Sequence, residues 1–429
     1  MHMDRRSFLA AGAVGAVVRP SFREDGLTRI LAAGRETTGL PAASVAKDEE
    51  FWAQIQSAYL VDRSLINLNN GSLSPSPSVV EEAVRRESEF INRGAVYNMG
   101  LLVPEVEVIR RRLAASFGCD REEMAITRNT SESLMICQLG LDLKPGDEVL
   151  TTDQDYPRML FTWQQRQRRE GIVLKTIPFN LPVPDLDDLY NRFERAITPR
   201  TRVILFCHMT YTSGQIFPVK KICQMARSRG IETIVDGAHA YAQLPFHISD
   251  LDCDYYGTSL HKWLCAPMGT GFLYVRKEKI AKVWPMMPAS EDMTSDIRKF
   301  EQIGTHPVAI PNAIGEALTF HEAIGIERKS ARLRFLRDRW ARRLAENPRV
   351  KLFTSLEREQ SCGLALFGIE GIDLAKIAAH LWEKYRILVG GPMGPQGVRG
   401  LRIAANVYTT LDEIDTFCSA VEEGIKKFS

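Results

Sequence analysis

The sequence predicts an α/β fold: a large domain with a mostly parallel sheet flanked by helices, followed by a smaller α+β C-terminal domain. Three observations carry this expectation. Short apolar runs recur between Met124 and Val275, separated by stretches with helical periodicity. Strands alternating with helices are joined by right-handed crossovers into a parallel sheet. Beyond Trp284 the alternation gives way to long helices and a few strands. Lastly, Thr130, Asp155-Tyr156, Thr210, Asp236 and Lys262 each fall just after an apolar run. Ligands bind at that carboxyl edge of such sheets.

The composition sets the bounds. With 429 residues, 45% hydrophobic and 25% charged, the chain suffices for two or three domains with large cores. A net charge of +2 gives no electrostatic reason to expect nucleic acid or an anionic membrane as partner. The stretch Glu327 to Glu346 carries seven arginines, while Leu333, Leu336, Trp340 and Leu344 recur at helical spacing. The arginines are therefore expected on a solvated face. Eight cysteines are scattered without a C-x-x-C pair, which excludes zinc spacing and a dense disulfide framework.

The N-terminus reads Asp4-Arg5-Arg6-Ser7-Phe8-Leu9, then a small-residue apolar run from Ala10 to Val18. Paired arginines before a weakly hydrophobic segment, too short to span a bilayer, predict a twin-arginine export signal and an extracytoplasmic protein. Were this stretch only a tail, the protein would be cytoplasmic. No later segment is long enough for a transmembrane helix.

Taken in order, the chain divides into a leader and linker (1–46), an N-terminal arm joining the small domain (47–95), the large domain (96–300) and the small domain (301–429). Residues 19–47 carry little structure signal. Asp48 to Leu60 predicts a helix with Phe51, Ile55 and Tyr59 on one face. Asn67 to Ser72, followed by Pro75 and Pro77, is a turn-rich loop with no reason to be buried unless it lines something. Helices follow at Val79 to Ile91 and from Pro104, the latter stopped by Gly118. Strands are expected at Met124–Thr127, Glu148–Thr152, Val173–Pro178, Val203–Cys207, Ile231–Val235, Tyr255–Ser259 and Phe272–Val275, with a helix from Val219 to Ser228 among those between them. The small domain should contain helices Ala309–Ile324, Leu374–Tyr385 and Leu411–Lys427, and strands Gly363–Phe367 and Leu401–Ala404.

The chemistry concentrates between Ile231 and Gly271. Asp236 ends one apolar run in D-G-A-H, and His261-Lys262 follow the next, ahead of Gly269 and Gly271. An acid at one strand end and a lysine at the next suit pyridoxal phosphate. That cofactor needs an amine for its Schiff base and a carboxylate to keep its ring nitrogen protonated. Asn129 is a plausible helix cap with Glu132 three residues on, and the N–H groups and hydroxyls of Thr130 and Ser131 at that helix start would bind a phosphate. No G-x-G-x-x-G or P-loop follows a strand, which argues against a nucleotide-binding enzyme.

The order D-G-A-H, S-x-H-K, G-x-G resembles the class V aminotransferase group of fold type I pyridoxal phosphate enzymes, in particular its isopenicillin N epimerase-like branch. The resemblance runs from about Asn67 onward. It implies that Lys262 carries the cofactor and that Asp236 pairs with the pyridine nitrogen. It also implies that Thr130, Ser131, Ser259 and His261 hold the phosphate, and that Tyr156 stacks on the ring. His239 and Thr210 would sit near the ring face and its phenolic oxygen. Thr305, in G-T-H-P, would reach the phosphate of a neighbouring subunit in a homodimer. Arg402, in L-R-I-A, would grip a substrate α-carboxylate, with Arg399 as the alternative.

The chain departs from the pattern in three places: Leu260 replaces the small residue usual before His-Lys, Ala404 and Thr409 replace residues usual in the tail after Arg402, and Val389 to Gly394 contains no cysteine. The desulfurase members of the group need a reactive cysteine there, and Cys362 is the only fallback. The resemblance therefore implies chemistry at Cα of an amino acid or amine, of aminotransferase or epimerase type, ahead of cysteine desulfuration or C–S lysis. The non-enzymatic rival is an exported protein that binds the cofactor or another ligand without turnover. Binding alone does not require both Asp236 and Lys262.

Overall fold

The computed structural model describes residues 21–395 and 397–429. The twin-arginine motif lies outside the described residues. The stretch read as a linker is helical instead, with α1 at Ser21–Glu36. Ile30 is buried, and Gly34 lets α1 approach a second helix so closely that a Cβ there would lie 2.4 Å from the Ala323 carbonyl oxygen. The linker expectation fails because these few apolar residues find a tertiary partner that local propensity does not reveal.

After α2 (Glu49–Ser57), capped by Asp48, comes β1 (Ile66–Asn67) and then α3 (Ser78–Leu102). α3 runs past the expected end at Ile91 through a kink at Gly94-Ala95, where Asn98 Nδ2 donates to the Phe90 carbonyl (2.6 Å). α4 (Glu105–Phe117) ends at Gly118, whose left-handed φ of 81° lets the chain turn back.

Seven strands then form the central sheet: β2 (Met124–Thr127), β3 (Glu148–Thr152), β4 (Val173–Ile177), β5 (Thr201–Cys207), β6 (Glu232–Asp236), β7 (Tyr255–Ser259) and β8 (Gly271–Val275). Their order is β2-β8-β7-β6-β5-β3-β4. All neighbours pair in parallel except those of β8, which is antiparallel to both β2 and β7. The intervening helices are α5 (Thr130–Gly140), α6 (Pro157–Glu170), α7 (Leu186–Ala196) and α8 (Val219–Arg227). β3, β7 and β8 are buried at every residue, as expected of strands covered on both faces.

Ala309–Ile324 is not one helix: it breaks at Ala313 into a short turn and α9 (Ile314–Ile324). α10 (Ile326–Ala345) leads to β9 (Val350–Leu352), β10 (Leu364–Ile369), α11 (Leu374–Tyr385), β11 (Ile387–Leu388), β12 (Gly390–Met393), β13 (Gly400–Ala404) and α12 (Leu411–Phe428). The antiparallel sheet β12-β13-β10-β9 packs on a core that includes Trp340, Phe367, Leu381 and Phe417. β1 pairs in parallel with β11, and Asn69 bridges to Ala404, so the segment after α2 is hydrogen-bonded into this C-terminal unit. No helix among the described residues is long and apolar enough to cross a membrane.

The arginines of α10 correct the expectation of a solvated face. Arg332 and Arg337 are fully buried. Arg332 donates to the Ala46 carbonyl and to Glu49, and lies over the Trp52 ring. Arg337 donates to Ser361 and to the Leu356 carbonyl. The helix is covered on two sides, which an amphipathic pattern alone does not convey. Replacing Arg332 by Ala should lower the unfolding free energy by about 3 kcal/mol, because it leaves a cavity and strips the Ala46 carbonyl. Glu49→Gln keeps an acceptor for the Arg332 guanidinium while removing its counter-charge, and should cost less, about 1 to 2 kcal/mol. Chemical denaturation of the two variants checks the ranking.

Candidate active site

The parallel register aligns the strand ends. Cys207 at the end of β5 stands beside Asp236 at the end of β6, which stands beside Gly257 of β7. Ser259 closes β7, opposite Gly271 of β8, and Gly271 in turn pairs with Thr127 of β2. A side chain at Gly271 would meet the Thr258 carbonyl at 2.6 Å and Asn129 Cα at 2.8 Å. Glycine there lets the start of α5 settle against the tips of β7 and β8.

At that helix start Asn129 accepts from the Glu132 N–H (2.9 Å). The reciprocal half of the expected capping box is missing, because the Glu132 carboxylate turns to the N–H and guanidinium of Arg128. Ser259 Oγ accepts from the Thr130 N–H (2.9 Å) and lies 2.7 Å from Thr130 Oγ1. His261 Nδ1 is buried with no partner, and burial, then Lys262, pushes its pKa down to about 4. Hydroxyls, helix N–H groups and a neutral imidazole make an anion cradle.

Asp236 is buried, and its side chain accepts one hydrogen bond, from the Ala238 N–H (3.0 Å). Burial raises its pKa to about 6, with the Ala238 N–H and Lys262 opposing. The glycine that follows is a steric necessity: a Cβ at Gly237 would lie 2.0 Å from the Tyr256 ring. Lys262 Nζ is 3.1 Å from His239 Nε2. Loss of hydration lowers the Lys262 pKa to about 8; Asp236 opposes this and Arg402 adds to it. The buried His239 is pushed well below its ordinary range, again by burial first.

The opposite wall is aromatic. Asp155, buried, accepts from Thr151 Oγ1 (2.7 Å), the Thr152 N–H (2.6 Å) and Thr152 Oγ1 (2.8 Å). This ties down the turn that delivers Tyr156 to the head of α6. The Tyr156 ring meets Tyr211 edge-on, 5.4 Å between centroids. Arg402 reaches in from β13. It donates to the Tyr211 carbonyl (2.9 Å), Asn69 Oδ1 (2.6 Å) and Ser72 Oγ (2.6 Å), while its Nε is buried without a partner. Among the described residues no carboxylate pairs with it, and burial lowers its pKa to about 10.

These groups surround one pocket of about 270 Å³. Of the residues singled out from sequence, Thr130, Ser131, Tyr156, Asp236, His239, Ser259, His261, Lys262 and Arg402 all line it. Thr210 does not. Its hydroxyl is fully buried in its own turn, 2.8 Å from Ser213 Oγ and accepting from the Gln215 N–H, and the next residue, Tyr211, faces the pocket instead. Thr305 is exposed on a loop and outside this pocket. Arg399 does not line it either. Tyr211, Cys207, Met159 and the Gly71-Ser72 pair were not singled out, although the polar loop from Asn67 carried the signal: side chains of that kind are buried when they serve a site. Among the described residues no cluster of histidine, cysteine, aspartate or glutamate suits a metal ion.

A family model described as aminotransferase class-V matches residues 66–417. The chain belongs to the class V aminotransferases. It is 33% identical over 394 residues to isopenicillin N epimerase of Streptomyces clavuligerus, covering 86% of this chain and 98% of that protein. It is 26% identical over 393 residues to a probable cysteine desulfurase of Synechocystis, covering 85% and 92%. Among solved structures it is similar to the cysteine desulfurase of Thermococcus onnurineus NA1 (TM-score 0.77, 24% identity, 88% of this chain and 98% of that one). The cysteine desulfurase CsdA of Escherichia coli is comparable (TM-score 0.76, 23% identity, 88% and 99%). Both share the fold.

The cofactor of this family is pyridoxal phosphate, and the donors present fit it. The cradle at α5 suits a phosphate, the singly bonded Asp236 carboxylate suits a protonated ring nitrogen, and Lys262 supplies an amine already biased towards its neutral form. Only the neutral amine condenses with an aldehyde. Capture of pyridoxal phosphate by apoprotein should therefore rise with pH to a plateau above about 8, and below that fall about tenfold per pH unit. Borohydride trapping across pH 5 to 10 measures it. An unperturbed lysine would still be gaining rate at about pH 10.

Proposed function

We propose that this enzyme moves the proton at Cα of an amino acid, leading to epimerisation or transamination. The observation that carries this reading is Arg402: a buried guanidinium without a carboxylate partner, with an orphaned Nε, in the pocket that holds the Lys262 amine. A buried cation left unpaired is costly, and a substrate carboxylate would compensate its charge.

When bound, pyridoxal phosphate supplies a carbonyl carbon for the substrate amine and a ring that draws electrons from Cα. The residues do the rest. Thr130, Ser131, Ser259 and His261 would hold the cofactor's phosphate, and Tyr156 would lie against its ring. Asp236 would keep a proton on the ring nitrogen. Arg402 orients the carboxylate so that the Cα–H bond stands towards Lys262. The Lys262 amine takes that proton, and its lowered pKa suits a base at neutral pH.

The desulfurase alternative finds less support. Gly390–Met393 is a strand paired with β13, in place of a cysteine-bearing loop. Cys362 is fully buried and donates to the Gln243 carbonyl (3.6 Å), away from the pocket. Cys207 does line the pocket, but burial and the neighbouring Asp155 hold its thiol far above the ordinary range, the opposite of a nucleophile. We also propose a homodimer in which Thr305, exposed on its loop, meets the partner's cofactor phosphate, and export directed by Arg5-Arg6.

Holoenzyme incubated in D₂O with a panel of L- and D-amino acids should exchange the Cα hydrogen of at least one, with inverted amino acid or keto acid as product. Release of sulfide or persulfide without Cα exchange would overturn the reading. Arg402→Ala should raise KM for that substrate by about a hundredfold, as expected for a charge-assisted pair of about 3 kcal/mol, and leave cofactor affinity within about threefold. Steady-state kinetics and a cofactor titration check both.

A further inference from the structure

A second buried cation stands behind the pocket. Lys329 of α10 is fully enclosed, and no carboxylate among the described residues pairs with it. Its Nζ donates to the carbonyl oxygen of Trp263, the residue that follows Lys262. The charged or titratable groups around it are His321 of α9 and the thiols of Cys265 and Cys362. Burying a lysine without an anion is expensive, so a purely packing role would be better filled by Met or Leu.

Trp263 is fully buried too, and its indole Nε1 donates to His239 Nδ1 (3.4 Å), while the Gln243 amide holds the His239 carbonyl (2.5 Å). An indole N–H only donates. His239 Nδ1 must then be the acceptor. In a neutral ring the proton falls on Nε2, the atom 3.1 Å from Lys262 Nζ. A ring that donates to Nζ needs the lone pair of the amine and disfavours the ammonium. The other groups facing Lys262 are Asp236, which favours the ammonium, and Arg402 and Cys207.

We propose that Lys329 and Trp263 are positioning residues: Lys329 anchors the Trp263 peptide, and the Trp263 indole locks His239 as the Nε2–H tautomer, which presents Lys262 as a neutral, reactive amine. The inference rests on Lys262 being the cofactor lysine. Without the indole N–H, His239 is free to carry its proton on Nδ1. Nε2 then accepts from the Lys262 ammonium and stabilises the charged form.

The test starts with unmodified apoprotein. With ¹⁵N-labelled histidine, and His239 assigned by its loss in His239→Gln, the nitrogen shifts should report Nδ1 unprotonated and Nε2 protonated at neutral pH. A proton on Nδ1 overturns the proposal whatever Lys262 does. In Trp263→Phe, the pH midpoint for borohydride-trapped capture of pyridoxal phosphate should move up by about one unit, slowing capture about tenfold on the acid side. Lys329→Met should move it the same way by a smaller amount. Its chain packs much as lysine does, so the fold should survive, and circular dichroism verifies this. A midpoint unchanged in Trp263→Phe also overturns the relay. Lys262→Ala separates the two readings: cofactor still trapped covalently in that variant would sink the assignment of Lys262, whereas the tautomer measured in apoprotein stands independently of it.

Discussion

Everything around the pocket depends on keeping a carboxylate and an amine where water would not leave them alone. Asp236 accepts a single hydrogen bond at the end of a buried strand, and its pKa stands at about 6 against an ordinary 3.8. That displacement corresponds to about 3 kcal/mol of stability sacrificed at neutral pH. Folding alone offers no return for it. The sequence around it tolerates little else: Gly237 exists because the Tyr256 ring lies where a Cβ would be, and Gly271 because α5 presses on the tips of β7 and β8. Close approach at these two glycines brings acid, lysine and anion cradle to one edge.

The pocket is completed from the far end of the chain. Arg402 sits on β13, yet its three hydrogen bonds go to Asn69, Ser72 and the Tyr211 carbonyl, elements separated by more than a hundred residues. One bond leaves from Nη1 and two from Nη2, and Nε is left without a partner. The guanidinium is thus fixed in direction before any substrate arrives, so little side-chain entropy remains to be lost on binding. The same device recurs behind Lys262, where a buried donor holds a backbone carbonyl in place of an ion pair.

What was legible in the sequence follows from how local each signal is. The central strands were, because burial on both faces writes near-continuous apolar runs. The acid and the lysine were legible too, since each sits at the end of such a run. α1 was not: its few apolar residues are buried against α9, α2 and α3 together, partners that no local pattern records. The buried Arg332 and Arg337 look like surface charges until Glu49, Trp52 and Ser361 are brought to them. Thr210 and Tyr211 differ by one position in a turn, and which of them faces the pocket is set by the hydroxyl pairing of Thr210 with Ser213. Asn69 and Ser72 become partners of Arg402 only through the parallel bridge from Asn69 to Ala404.

The fold itself does not choose the reaction. Desulfurase structures superpose over almost the whole chain, and a shared fold hosts many chemistries. The discrimination is local and lies in where thiols stand. A sulfur acceptor has to be a thiolate on a segment free to reach the substrate. Here the segment before Arg402 is a hydrogen-bonded strand without cysteine, and the two buried thiols in question are Cys207, held protonated beside Asp155, and Cys362, turned to the Gln243 carbonyl. What shares the pocket with Arg402 is a proton acceptor, Lys262, backed by a neutral histidine. That local equipment is what supports the proposed proton transfer at Cα, which needs a base beside the substrate and no thiol.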